Sequence, residues 1–271
     1  MLILLTNDDG IQAPGLNVLR KTLSEIAEIV VVAPDRERSA TGHGITVYYP
    51  IRVDEFCFID GKERGWVVDG TPADSVKLAI CALLDRPPDL VVSGINRGPN
   101  LGTDVLYSGT VSAALEGTVL GVPSLAVSLD TYESQADYSY AAAFTRELCE
   151  HLLKEGLSPD ILLNINVPAL PPHKIAGVKF TKLGIRRYDD VFTARKDPRG
   201  KTYFWLAGEV VDEEQDEDTD VMAVKNRFVS ITPLHFDLTN YRFLRLMREK
   251  WKDFAIGLRG YEEQTGQAGK G

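Results

Sequence analysis

The sequence predicts an α/β fold, a three-layer core on a mostly parallel sheet with helices on both faces, and a β-rich C-terminal extension ending in a helix. Three observations carry this. Short, continuously apolar runs alternate with amphipathic stretches over residues 1–166, the pattern of strands buried on both faces beneath covering helices. Helical stripes then give way, after Pro168, to short β-type runs separated by polar loops. The stretch 238–254 closes the pattern with apolar residues at helical spacing.

Residues 2–6 are an unbroken apolar run closed by Thr6, read as a strand buried on both faces. Over 15–26, Leu16, Leu19, Leu23 and Ile26 form one helical stripe. Ile29–Ala33 is a second buried strand, stopped by Pro34. Helix 73–84, strand 89–93, helix 110–120, strand 124–129, helix 138–154 and strand 161–165 follow, with right-handed crossovers expected. Further β-type runs lie near 176–183, 202–207 and 227–232. In the last stretch Leu238, Tyr241, Leu244, Met247, Trp251 and Phe254 share a face, beside five bases: Arg242, Arg245, Arg248, Lys250 and Lys252. The expected organisation is one structural unit: an α/β core over 1–166 and a β-rich arm with a terminal helix over 167–271. The arm shows no core of its own, so it is expected to pack against another subunit. The tail after Gly260 is expected to fray.

The chain has 271 residues, 44% hydrophobic and 25% charged, enough for a substantial core. A net charge of −9 repels a phosphate backbone, so duplex nucleic acid is not an expected partner. No run approaches the roughly 20 apolar residues of a membrane span. The apolar start is too short for a signal peptide and lacks a basic flank. Cys57, Cys81 and Cys149 are odd in number and widely spaced, and are read as core filler in a reducing compartment. Together these predict a cytoplasmic protein. Eight acids and no base lie between Glu209 and Asp220. They are read as a solvated loop, since the D-x-D-x-D-G pattern of a calcium site is missing.

In an open parallel sheet, ligands bind outside the carboxyl ends of the strands. After the first strand comes Asn7-Asp8-Asp9-Gly10. Adjacent carboxylates repel unless a cation neutralises them, and oxygen donors suit Mg²⁺ or Mn²⁺. The same residues are also good turn formers, and this segment alone leaves both readings open. After the second strand, Asp35–Gly44 holds Ser39, two glycines and two arginines. Such a loop can bring N–H groups and hydroxyls to an anion, and Ser39 can offer a metal an oxygen. His43 is a candidate general acid, but a structural or exposed role is preferred for it. After strand 89–93, Ser93–Asp104 contains Gly94, Asn96, Gly98, Asn100 and Gly102, too long and too glycine-rich for a plain connector. Ser108-Gly109-Thr110 then opens a helix whose N-terminus is an anion site as well as a capped end. Thr71-Pro72-Ala73-Asp74 reads as a capping box and is assigned a structural role. Hard-oxygen donors and a helix N-terminus at several strand ends describe metal-assisted phosphoryl transfer. No G-x-x-x-x-G-K-[ST] loop, no G-x-G-x-x-G after the first strand and no G-x-S-x-G elbow is present.

The chain resembles the SurE, or survival protein E, family of nucleotidases. The resemblance rests on Thr6-Asn7-Asp8-Asp9-Gly10, Ala33-Pro34-Asp35-Arg36-x-Arg38-Ser39, Gly70-Thr71-Pro72, Ser93-Gly94-Ile95-Asn96-x-Gly98-x-Asn100-x-Gly102 and Tyr107-Ser108-Gly109-Thr110. It continues through Asn166-Val167-Pro168, Asp197-Pro198-Arg199-Gly200, Thr219-Asp220 and Ser230-Ile231-Thr232-Pro233-Leu234-His235, nearly the whole chain. It implies a 5′-nucleotidase acting on nucleoside 5′- and 3′-monophosphates, with short polyphosphate as a further substrate. It implies one divalent ion per subunit, Mg²⁺ or Mn²⁺, on Asp8, Asp9, Ser39 and Asn96. Of these, Asp8, Asp9 and Asn96 take the catalytic roles. Asn100, Ser108, Gly109 and Thr110 match the phosphate pocket. It implies a Rossmann-like core whose C-terminal arm and terminal helix are exchanged within a homodimer or homotetramer. Ala40, where a glycine commonly follows the serine, and Glu37 and Arg97 depart from the family pattern; Arg97 is a candidate for altering substrate preference.

On this reading the ion grips a phosphate oxygen and a water while the helix N-terminus holds the remaining oxygens. Direct attack by Asp8 or Asp9 stays open. Two rivals stand beside it. A phosphatase of haloacid-dehalogenase type forms an aspartyl-phosphate but needs Asp-x-Asp, whereas these acids are adjacent. A non-catalytic nucleotide-binding module would bind nucleotide and release no phosphate.

Overall fold

The computed structural model describes residues 1–59, 63–156, 158–160, 162–189, 191–211, 215–251 and 254. The expected frayed tail after Gly260, Lys252 and the acids at 212–214 lie outside the described residues. Two compact units divide the chain, Met1–His235 and Phe236–Gly271.

The first unit opens with β1 (Leu2–Thr6), α1 (Pro14–Leu23) and β2 (Glu28–Pro34). Then come β3 (Val53–Cys57), β4 (Arg64–Val68), and α2 (Pro72–Leu78), which passes into a π-helical turn at Ala79–Leu83. β5 (Leu90–Arg97) is followed by a 3₁₀ turn (Gly102–Leu106), α3 (Gly109–Val119), β6 (Ser124–Asp130), α4 (Ser139–Glu155) and β7 (Leu162–Pro168). A second 3₁₀ turn at Pro172–Lys174 leads to β8 (Gly177–Phe180), β9 (Arg187–Tyr188), β10 (Val191–Lys196), β11 (Thr202–Ala207) and β12 (Val210–Val211). α5 (Asp220–Lys225) and β13 (Phe228–Leu234) complete the unit.

Nine strands form one sheet in the order β3-β4-β2-β1-β5-β6-β7-β13-β8. The run from β4 to β7 is parallel; β3 on β4 and β13 on β7 are antiparallel, and β8 is parallel to β13. Alternation along the strands explains the layers. Ile3, Leu5, Val31 and Val92 turn to one face, where α1 and α4 supply Leu16, Leu19, Ala141 and Cys149. Leu2, Leu4, Val30 and Val32 turn to the other, against Val76, Ala79 and Ala113 of α2, its π-helical turn and α3. The α/β class and the buried parallel strands therefore hold.

Several expectations shift. The hairpin β3–β4 was not read from the sequence: β3 is an edge strand, largely exposed, and carries only a short apolar pattern. β5 runs on to Arg97 rather than ending at 93, with a register shift against β6 between Ser93 and Asn96. Beyond residue 166, β8 and β13 join the same sheet, because Val229 and Ile231 complete the cluster that holds Ile165 and Val167. The arm thus begins inside the core sheet. Two separate ladders, β10–β11 and β9–β12, lie outside it. Of the cysteines only Cys149 fills core; Cys57 on the edge strand and Cys81 on the π-helical turn are exposed.

In the second unit, α6 (Tyr241–Lys250) is capped by Asn240, whose Oδ1 accepts the Phe243 N–H at 2.9 Å. Its apolar Tyr241, Phe243 and Leu246 are exposed. Among the described residues no helix is long and apolar enough to cross a membrane.

Candidate metal and phosphate site

β1 lies between β2 and β5. The chain leaves β1 for β2 on one side and later returns to β5 on the other, which opens a crevice at the carboxyl ends of β1 and β5. Asp8 and Asp9 leave the end of β1, and Asn96 stands near the end of β5.

Turn chemistry and ligand chemistry coexist at the first strand end. Asn7 donates through Nδ2 to the Gly10 carbonyl at 2.9 Å and accepts the Gly10 N–H at 3.2 Å, while Gly10 takes φ 99°. The intervening carboxylates are left for other partners. Asp8 is buried, and its Oδ1 accepts the Thr110 hydroxyl. Its backbone carbonyl accepts the Arg38 N–H at 2.7 Å, which ties in the Ser39 loop. Asp9 Oδ2 accepts the Arg97 N–H at 3.0 Å. Burial pushes the Asp8 carboxyl up to about 6, against the Thr110 hydrogen bond and with the help of the Asp9 charge. Burial raises Asp9 as well, opposed by Arg97.

A cleft of about 200 Å³ brings Asp8, Ser39, Asn96, Asn100 and Ser108 together. Arg97, Asp104, Tyr107 and Tyr132 complete its walls. Ser39 is exposed at the rim and donates to Glu37 Oε1 at 2.7 Å. Ala40 beside it takes φ 56°, a left-handed conformation that suits the glycine common at this position. Asn96 is oriented by its Nδ2, which donates to the Gly98 carbonyl at 2.7 Å. Ser108 caps α3, its Oγ accepting the Val111 N–H at 3.1 Å. Gly109 stands directly behind Asp8: a Cβ there would lie 2.7 Å from Asp8 Cβ. Asp9, Gly109 and Thr110 adjoin these lining residues, Asp9 through Arg97 and Thr110 through its bond to Asp8.

His43 lies outside the cleft lining: its Nε2 lies 2.7 Å from Glu116 Oε2, and Lys77 Nζ donates to the other oxygen at 2.6 Å. The capping box at Thr71 and Asp74 forms, and Asp74 also accepts from the Thr46 N–H and hydroxyl.

Sequence reasoning missed the supports of the Asn100 loop. The Asn100 N–H donates to Asn166 Oδ1 at 2.7 Å, and its carbonyl accepts from Asn164 and Asn166 at 2.9 and 3.0 Å. Its Nδ2 donates to Ser128 Oγ at 2.7 Å. Two asparagines inside the otherwise apolar strand Leu162–Pro168 were the available signal. Asp220 is a correction to the solvated-loop reading: it is buried and accepts the N–H groups of Gly102 and Gly184, both at 2.8 Å. Asp216 and Asp218 do lie on the surface, paired with Lys182.

Among the described residues no group of three His, Cys, Asp or Glu could hold a metal. The donors here are instead two carboxylates, an amide and a hydroxyl, all oxygen, which suits a hard divalent ion. The charge Asp8 feels most from its surroundings is that of Asp9, a repulsion that a cation would relieve. The residues therefore fit such an ion.

Fold and cleft define the class: a doubly wound α/β protein with a cleft lined by oxygen-bearing side chains at its switch point. The chain belongs to the Survival protein SurE family, whose profile matches residues 3–190. A relative from Heliobacterium modesticaldum, named 5′-nucleotidase SurE, is 59% identical over 90% of this chain and 90% of its own length. One of the same name from Thermosynechococcus vestitus is 56% identical over 88% of this chain and 92% of its own. The crystal structure of the SurE protein from Aquifex aeolicus matches with a TM-score of 0.79 at 42% identity, covering 92% of this chain and 98% of that one.

Proposed function

We propose that this chain is a divalent-metal-dependent phosphatase that hydrolyses nucleoside 5′-monophosphates to nucleoside and phosphate. The observation that carries the reading is the buried Asp8, next to Asp9 and bonded to the first turn of α3. Relatives at this identity bear the name 5′-nucleotidase, which supports it.

Asp8, Asp9, Ser39 and Asn96 would hold one Mg²⁺ or Mn²⁺ per subunit. When bound, such an ion neutralises phosphoryl charge and lowers the pKa of bound water. The chain's own residues do the rest. The N–H groups of Gly109 and Thr110 lie in the first turn of α3, where intrahelical acceptors are lacking, and they face an anion with the positive end of the helix dipole. Ser108 shapes that turn, and Asn100, held by Asn164 and Asn166, lines the same cleft. These contacts go to phosphoryl oxygens, so 3′-monophosphates and short polyphosphate fall within the same reading.

The arm is read as an oligomer contact that makes a homodimer or homotetramer. Support comes from the β10–β11 ladder, which exposes Phe192, Phe204 and Trp205. Free Cys57 and Cys81 suit a reducing cytoplasm.

The test is colorimetric phosphate release across a nucleotide panel after chelation and metal add-back. Release that stops on chelation and returns with Mn²⁺ or Mg²⁺ is expected. Nucleotide binding without release under every metal would overturn the enzyme reading in favour of a binding module.

A further inference from the structure

Asp104 is a second carboxylate on the cleft wall, and the phosphate machinery has no use for it. A carboxylate outside the proposed ligand set accepts hydrogen bonds only, which suits an uncharged, hydroxyl-bearing part of the substrate. Its position is tightly held. Tyr188 donates its hydroxyl to Asp104 Oδ2 at 2.6 Å, and Arg186 Nη1 stands 3.3 Å from the same oxygen. Thr103 anchors Arg186 in turn, its Oγ1 donating to the Arg186 carbonyl at 2.7 Å and accepting the Arg186 N–H at 3.2 Å. The Asp104 backbone carbonyl accepts the N–H groups of Tyr107 and Ser108, at 2.9 and 3.1 Å. Asp104 thus sits in the 3₁₀ turn that leads directly into the helix N-terminus proposed for phosphate.

We infer that Asp104 accepts hydrogen bonds from the ribose hydroxyls of the nucleotide, making it a specificity-determining residue, with Tyr107 and Tyr132 flanking the nucleobase. The inference rests on the proposed function and names how that site tells a ribonucleotide from other phosphomonoesters. A carboxylate offers about four lone-pair sites; Oδ2 serves Tyr188 and Arg186, leaving acceptor capacity for a vicinal diol. An acidic side chain on a ribose hydroxyl is also how dinucleotide sites of related topology read the sugar. Tyr107 and Tyr132 line the same cleft with largely exposed rings, and Tyr132 packs so close to Gly98 that a Cβ there would lie 2.6 Å from the ring. Aromatic faces stack on any base, so the arrangement reads the sugar more strictly than the base.

The test compares a nucleoside 5′-monophosphate, its 2′-deoxy and 2′,3′-dideoxy counterparts, and p-nitrophenyl phosphate, which has no sugar. The full-length protein is assayed with Mn²⁺ as wild type, Asp104→Asn, Asp104→Ala and Tyr188→Phe. Wild type is expected to lose about 10- to 100-fold in kcat/KM, mainly through KM, when both hydroxyls are removed. In Asp104→Ala that ratio collapses to about 2-fold, and ribonucleotide turnover suffers far more than p-nitrophenyl phosphate turnover. Tyr188→Phe, which loosens the carboxylate without removing it, gives a ratio between the two. Should the alanine variant fail to fold, the isosteric Asn variant and Tyr188→Phe carry the comparison. An unaltered ratio in the folded variants, or an equal loss on p-nitrophenyl phosphate, overturns this inference alone. No phosphate release from any nucleotide by wild type overturns the proposed function and this inference with it.

Discussion

The Thr110 hydroxyl donates to Asp8 Oδ1, pinning the first turn of α3 to the end of β1 across 102 residues of sequence. The bond stabilises the ionised carboxylate, yet burial still outweighs it, and Asp8 stands at about 6 rather than 3.8. Ionised and without a cation, Asp8 carries a charge the fold disfavours, so a cation bound there would stabilise the fold as well as serve the proposed chemistry.

Asp8→Asn is expected to abolish hydrolysis and to stabilise the metal-free protein. Because the folded pKa lies above the unfolded one, the ionised group destabilises above about 4, and the effect is complete above about 6. The shift corresponds to about 3 kcal/mol at neutral pH. Asn keeps an acceptor for Thr110, so the fold survives. Melts in chelator should show the variant above wild type at pH 7.5, with the gain fading by pH 4. Added Mn²⁺ should raise wild type and leave the variant unmoved. A variant that turns over normally removes Asp8 from the site.

How much of this was legible in the sequence depends on the range of each contact. Asp8 and Asp9 stood out because adjacent acids at a strand end are costly, and Asn96 because its loop is rich in glycine. The Ser108 cap is local, and local spacing reveals it. The Asn100–Asn166 pairing spans 66 residues, and nothing local to either asparagine announces the other. Asp220 was hidden by its neighbours: it is buried at the end of an acidic stretch whose Asp216 and Asp218 lie on the surface. The β3–β4 hairpin escaped because an edge strand need not be apolar on both faces. The sheet's continuation into β8 and β13 depends on pairing with β7, which hydrophobic spacing does not encode.

Gly109→Ala sets two effects against each other. Helix propensity alone favours alanine by about 1 kcal/mol. The new Cβ, however, would lie 2.7 Å from Asp8 Cβ and 2.8 Å from its Oδ2. Overpacking of that kind costs about 1–3 kcal/mol and displaces the carboxylate. The clash should win, with a lower melting temperature and kcat down about 100-fold, since small misplacements at a reacting centre are that costly. A more stable variant with normal kcat would mean that Asp8 has room to move.

Asn166→Asp tests the support of the phosphate wall. Asp retains the acceptor for the Asn100 N–H, but it sets an oxygen against the Asn100 carbonyl, where Nδ2 donates at 3.0 Å. A buried charge and a lost donor together cost about 2–3 kcal/mol. Nucleotide KM should rise as Asn100 shifts, while Mn²⁺ affinity, measured by calorimetry, stays near wild type because the proposed ligands belong to other segments. An equal loss of metal affinity would place Asn166 in support of the ion instead.

Glu116 gives the acid limb of stability. It is buried in α3 between His43 and Lys77, and the His43 hydrogen bond, followed by that of Lys77, holds its carboxyl below the usual 4.5 despite burial. A lowered folded pKa means that the contribution is present above about 4.5 and is lost as pH falls through the folded value. The partner Lys77 is raised by the same contact, so its share is lost only as pH climbs beyond 10.5. Glu116→Gln should therefore lower stability by about 1–3 kcal/mol at pH 7, since bonds to a charged acceptor exceed neutral ones. The gap to wild type should begin to narrow as pH drops below 4.5 and be gone once pH has fallen through the lowered folded value. Urea titrations at pH 3.5, 5 and 7 measure it. Because His43 belongs to the loop that carries Ser39, the same variant should also weaken Mn²⁺ binding at pH 7; a gap that persists unchanged at pH 3.5 would show that packing, not charge, holds the loop.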